Sequence, residues 1–144
     1  ASTTVFGAET LLGVIKSSEG DTLSIDAVDG EPVAKLVLAA STAKKQSFVL
    51  QGTLAGAIGK DTERFTVKLY SDTRVDIELY FTGANGLSLP VLSTTLDVGY
   101  NELSVPVISL NWGSLGSLLQ IDAEIGGFGD DTARTLSFAE IVVR

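Results

Sequence analysis

Cysteine, histidine and methionine are all absent from the 144-residue sequence. Together these absences remove most transition-metal ligands, the commonest general base and the thiol nucleophile. A Ser/His/Asp triad is impossible, and no disulfide can form. A chain of this length buries roughly two-thirds of its unfolded surface on folding and needs no covalent staple. Basic residues are also scarce, with Lys+Arg 10 against Asp+Glu 18 and a net charge of −8. Phosphate contacts draw their affinity from Lys and Arg, so nucleic acid is not expected as a partner. No apolar run approaches about twenty residues, so no membrane span is expected. What remains is carboxylate chemistry and oxygen-ligated calcium: no cofactor is required, and calcium is a candidate.

What is present is a strand pattern. With 44% hydrophobic residues the chain has ample material for a core. Apolar and polar residues alternate over short segments bounded by Gly, Asp, Asn and Pro. Strands are expected at 23–28, 33–39, 48–54, 65–70, 75–82, 87–96, 102–107, 118–125 and 135–143. The Asp29-Gly30 pair marks a tight hairpin between the first two. There is no linker, fixed-period repeat or second composition zone, so residues 1–144 read as a single domain. The connections are too short for helical crossovers. The expected fold is all-β, a two-sheet antiparallel jelly-roll β-sandwich of about nine strands.

In 65–70 and 75–81 the odd positions are apolar. Read as one hairpin, the two segments present Lys68 and Tyr70 beside Asp76, Glu78 and Tyr80 on the face opposite the core. Two rings among charges could stack on a pyranose and bond its hydroxyls, or could be ordinary cross-strand pairs on a wet sheet. Gln51, Gln120 and Asp122 occupy outward positions on their own strands. Trp112, the only tryptophan, lies in a turn-like stretch, either exposed for stacking or folded over the sandwich edge. Asp130 and Asp131 follow a glycine-rich turn and could hold calcium, or could be a solvated hairpin tip. The alternation also names a core: Phe65, Val67, Leu69, Ile77, Leu79, Phe81, Leu103, Val105, Val107, Leu119, Ile121 and Ile125.

Catalytic and phosphate-binding motifs fail. Around Gly59-Lys60 a phosphate loop would need glycine where Leu54 stands and Ser or Thr where Asp61 stands. There is no Gly-x-Ser-x-Gly elbow. No carboxylate pair is marked out for glycoside hydrolysis, so the chain is not expected to be an enzyme.

Three stretches carry a family resemblance. Residues 23–36 run strand, glycine turn, strand; residues 99–107 (Gly-Tyr-Asn-Glu-Leu-Ser-Val-Pro-Val) lead into a penultimate core strand; and residues 136–143 (Leu-Ser-Phe-Ala-Glu-Ile-Val-Val) form a closing strand. In these the chain resembles the galactose-binding-like jelly-roll carbohydrate-binding modules of secreted glycoside hydrolases. The resemblance implies a secreted module that binds polysaccharide or oligosaccharide without catalysis. It also implies a structural calcium held by an aspartate in the last strand and an early glutamate. Here Ala139, beside Glu140, occupies the aspartate's place, which leaves Glu9 with Glu140 as a reduced pair.

The expected function is therefore binding of a neutral polysaccharide through Tyr70, Tyr80, Trp112, Lys68, Asp76 and Glu78. The start at Ala1-Ser2-Thr3-Thr4, without methionine, reads as a mature end left by signal cleavage and favours an extracellular location. The alternative starts from the apolar run at 3–15, which something must bury. It forms the first strand of its own sandwich, or it completes the sheet of a neighbouring subunit in a self-assembling coat or filament, a homo-oligomer.

Overall fold

Alternation decides which side chains enter the core, and the computed structural model, which describes residues 3–41, 43–108, 110, 112–126 and 132–144, shows how far that rule reaches. Among the described residues the elements are β1 (Thr4–Gly7), α1 (Ala8–Val14), β2 (Ile15–Ser17), β3 (Thr22–Val28), β4 (Glu31–Leu38), β5 (Gln46–Leu50), α2 (Thr53–Ala57), β6 (Arg64–Ser71), β7 (Val75–Gly83), β8 (Ser88–Leu96), β9 (Gly99–Pro106), α3 (Trp112–Leu115), β10 (Leu118–Gly126) and β11 (Arg134–Val143). The first sheet runs β3-β4-β11-β6-β9, with β1 also on β11; the second runs β2-β5-β10-β7-β8. Every pairing is antiparallel. The fold is the expected jelly-roll sandwich.

Among the described strands only β3–β4 and β7–β8 pair as hairpins; the other consecutive strands change sheet. The β3–β4 turn uses Asp29 at φ 51° and Gly30 at φ 82°. Two successive positive φ values match the right-handed twist of the strands, which explains the Asp-Gly pair.

The expected hairpin of 65–70 with 75–81 does not form. β6 belongs to the first sheet and β7 to the second. The three-residue link between them is held to β11: Asp72 N–H donates to the Thr135 carbonyl (3.2 Å), and Thr135 N–H donates to Asp72 Oδ1 (3.0 Å). So anchored, the chain arches across the sandwich instead of reversing in plane. The two apolar stripes then meet through the core, where Phe65 stacks on Phe81 with centroids 5.6 Å apart. Phe48 and Phe138 make a second contact between the sheets, edge to face at 5.8 Å. Such aromatic pairs are favourable beyond the apolar area they bury.

The expected core is buried with one exception. Leu119 is 55% exposed, and Leu118 points inward in its place. The register of β10 on β7 shifts between Leu118 and Gln120. An extra residue in one strand reverses the facing of everything before it, so alternation counted back from Ile121 fails at this bulge.

The apolar N-terminal run is not one strand but strand, helix, strand. Ala8, Leu11 and Val14 are buried at three-residue spacing on α1, the period of a helix face. β1 pairs with β11 from Thr4↔Val143 to Gly7↔Glu140, and β2 pairs with β5. This run therefore takes its place in both sheets of its own sandwich. The expected strand at 48–54 also stops early: β5 ends at Leu50, and Leu54 is buried on α2.

Candidate functional site

Because β6 and β7 lie in different sheets, the outward residues expected to form one face are divided between two. Lys68 and Tyr70 stand on the outer face of the first sheet, and Asp76, Glu78 and Tyr80 on the outer face of the second. The correction concerns their grouping; each does point outward.

On the second sheet, β7 is flanked by β10 and β8. The register sets Tyr80 opposite Asp122, Thr82 opposite Gln120 and Glu78 opposite Glu124. Gln120 and Asp122 thus share a sheet with half of the expected face, whereas Gln51 lies half-buried just beyond β5. The groups are linked. Gln120 Nε2 donates to Asp122 Oδ1 at 2.7 Å, the Thr82 hydroxyl bonds Asp122, and the Tyr80 hydroxyl donates to Glu78. Thr95 donates to Asp76 at 2.9 Å. Lys45 lies 3.4 Å from Glu124 and 3.9 Å from Glu78. The bond to Glu78 is the main reason the Tyr80 phenol is held above its ordinary pKa, with burial and the charges of Glu78 and Glu124 adding to it.

The first sheet carries different chemistry. Tyr70 on β6 pairs across the strands with Tyr100 on β9, their rings tilted at 57° with centroids 5.3 Å apart. Lys68 donates to Glu140 at 2.9 Å and lies 3.9 Å from Glu102. The Glu140 bond raises the pKa of the Lys68 ammonium. The Tyr100 hydroxyl donates to Glu102 at 3.1 Å, and burial followed by that bond raises its phenol. Between these groups and the start of β4 lies an open recess of about 510 Å³ lined by Lys68, Tyr70, Tyr100, Ala139, Glu140 and Pro32, among others.

Tyr100 and Glu102 were missed from sequence, although a signal existed. Leu103, Val105 and Val107 point inward, so Tyr100 and Glu102 must point outward by the same alternation. What the pattern does not supply is the neighbour, because β9 pairs with β6 from a distant part of the sequence, Tyr100 opposite Tyr70 and Glu102 opposite Lys68.

Trp112 is folded back. Half-buried at the start of α3, it packs on Phe81 with centroids 6.2 Å apart, and its Nε1 is buried without a hydrogen-bond partner among the described residues. It borders a separate recess of about 500 Å³ at the end of the sandwich, with Ala55, Ile58, Lys60 and Leu118. Gly83 permits this docking, since a Cβ there would sit 2.2 Å from the Leu115 carbonyl oxygen.

Of the expected calcium ligands, Asp130 and Asp131 lie outside the described residues. Glu9 is exposed in the first turn of α1, and the Glu140 carboxylate is engaged by the Lys68 ammonium. The bulge in β11 between Phe138 and Glu140 turns Glu140 outward, opposite Lys68. Among the described residues no three acidic side chains converge as a metal site would require. No described helix is long and apolar enough to cross a membrane.

No protein-family model matches the sequence, and no curated protein matches it. Solved structures do match in fold. A family 28 carbohydrate-binding module specific for non-crystalline cellulose superposes with a TM-score of 0.56 at 14% identity, over 95% of this chain and 86% of that one. A variant family 29 module in complex with mannohexaose gives 0.57 at 13% identity, over 99% and 90%. The N-terminal modules of a Clostridium thermocellum endo-1,4-beta-D-xylanase, a family 22 module with its catalytic module, in complex with xylohexaose, give 0.63 at 10% identity, over 98% of this chain and 28% of that one. The chain shares the jelly-roll fold of carbohydrate-binding modules that accompany glycoside hydrolases.

Proposed function

We propose that this chain is a non-catalytic carbohydrate-binding module that holds a neutral polysaccharide along the outer face of its second sheet, around Tyr80. One observation carries the reading. A tyrosine on an inner strand is surrounded, on its own and the adjacent strand, by the side chains of Glu78, Thr82, Gln120 and Asp122. A pyranose offers an apolar ring face and a rim of hydroxyls. The phenol ring meets the first, and the carboxylates and the amide meet the second. The acidic excess on this face suits a neutral sugar, whose hydroxyls donate to carboxylates, and disfavours a polyanion. The fold likeness supports this reading, and since modules of this fold accompany secreted hydrolases we place the protein outside the cell.

Electrophoresis through gels containing neutral polysaccharides tests the proposal. Cellulose derivatives, mannans and xylans are the first choices. Retardation of the wild-type chain by at least one of them is expected. Tyr80→Ala weakens it by on the order of tenfold, the equivalent of about 1.4 kcal/mol. Tyr80→Phe keeps the ring and retains most of the binding. Migration unaffected by every polysaccharide would overturn the reading.

A further inference from the structure

We infer a second pyranose-binding site on the opposite side of the sandwich, in the recess of the first sheet between the Tyr70–Tyr100 pair and the start of β4. It shares only its ligand class with the Tyr80 face, and no residue. The recess exists because of what the chain omits. Along the line where β1 meets β11, exposed Gly7, buried Ala8 and half-buried Ala139 carry no side chain beyond Cβ, and all three line the cavity. The bulge at Ala139 gives β11 one residue too many, which sets Glu140 outward against Lys68. β4 lies on one side of β11, and β6 followed by β9 on the other. Glu31 and Pro32 therefore bound the recess on one side, and Tyr70 and Tyr100 on the other.

The aromatic pair is presented, not packed away. Tyr100 is 50% exposed, and its hydroxyl is anchored by Glu102, which fixes the ring before any ligand arrives. Preorganised rings lose little entropy on binding and offer an apolar surface suited to a sugar ring. The cavity, about 510 Å³, falls in the range of ordinary ligand sites. Lys68 can donate to sugar oxygens, and Glu31 and Glu140 can accept from hydroxyls. Three carboxylates stand around the recess, counting Glu102, against one ammonium, so a uronic acid is repelled and a neutral pyranose is the class that fits. With sites on both faces, one module holds two polysaccharide chains at once.

Titrating ¹⁵N-labelled protein separately with cellohexaose, mannohexaose and xylohexaose tests this, using wild type, Tyr80→Ala, Tyr100→Ala and Ala139→Leu. At least one hexasaccharide is expected to shift the amides of Tyr70, Tyr100, Ala139 and Glu140 in wild type and equally in Tyr80→Ala. Both Tyr100→Ala, which removes a ring without altering charge, and Ala139→Leu, which fills the recess and keeps both rings, should abolish those shifts. Absence of shifts at these four residues with all three sugars, or their persistence in Tyr100→Ala, overturns the second site. Failure of the Tyr80 reading shows up elsewhere, as unmoved Gln120 and Asp122 amides in wild type.

Discussion

The two outer faces of the sandwich are built by the same rule and differ in what the rule delivers. On the first sheet, charges of opposite sign are interleaved: Lys35 pairs with Asp26 at 3.2 Å, and Lys68 with Glu140 at 2.9 Å. Two tyrosines share one cross-strand site. On the second sheet, Asp76, Glu78, Asp122 and Glu124 surround a single tyrosine, with Lys45 reaching in from a loop. The first face pairs its ammonium groups with carboxylates and keeps a recess. The second keeps an excess of hydrogen-bond acceptors. Composition did not set this contrast, because β6 and β7 carry the same alternation of apolar, charged and aromatic residues. The partner strands set it: β6 lies between β11 and β9, and β7 between β10 and β8.

The strongest way to break the comparison is through the core that both faces rest on. Leu79 is 2% exposed, and Leu79→Ala should lower stability by about 2 to 5 kcal/mol in urea unfolding. Leu69→Ala, from the other sheet, should fall in the same range, because the two stripes line one cluster. A small loss at either would mean that the sheets do not share a core.

A subtler contrast separates the two anchored phenols. Tyr80 is held up first by Glu78, and Tyr100 first by burial and then by Glu102. Both raised values mean that the protonated phenol is favoured in the fold. The stabilisation is therefore complete below the ordinary value of 10.0 and fades as pH climbs through the higher folded value. Phenolate absorbance should show both titrating late. Glu78→Ala should bring one transition down and leave the Tyr100 transition in place, and a concerted fall of both would show that the faces are not independent.

The smallest effect is expected at the position where the sequence pattern misleads. Leu119→Ala should change stability by no more than about 0.5 kcal/mol, since the bulge leaves Leu119 55% exposed. A loss like that of Leu79→Ala would restore it to the core and remove the bulge.

Much of the fold was legible because the signals behind it are local. The Asp29-Gly30 turn demands positive φ values that few residue pairs supply, and the hairpin follows. The stripes of β6, β7 and β9 are right because side chains alternate wherever a strand is extended. The candidate site was legible only in part. Tyr80, Glu78 and Asp76 point outward as expected, yet their neighbours are Gln120, Asp122 and Glu124, which come from a strand some forty residues later. Tyr70 and Tyr100 meet for the same reason. The N-terminal run was misread because Ala8, Leu11 and Val14, at helical spacing, are embedded in residues that also suit strands.

The sequence by itself determined that the protein would be an all-β sandwich free of disulfides and histidine chemistry, and which side of most strands would face the core. Those properties depend on composition and on a two-residue period, both local. Tertiary structure alone decided which strands became neighbours. An apolar stripe is satisfied equally by a partner in its own sheet and by one across the core, and here the link bonded through Asp72 to Thr135 carries the chain from β6 in one sheet to β7 in the other. That choice separated Tyr70 from Tyr80, and with one extra residue in each of β10 and β11 it gave the sandwich two chemically distinct faces.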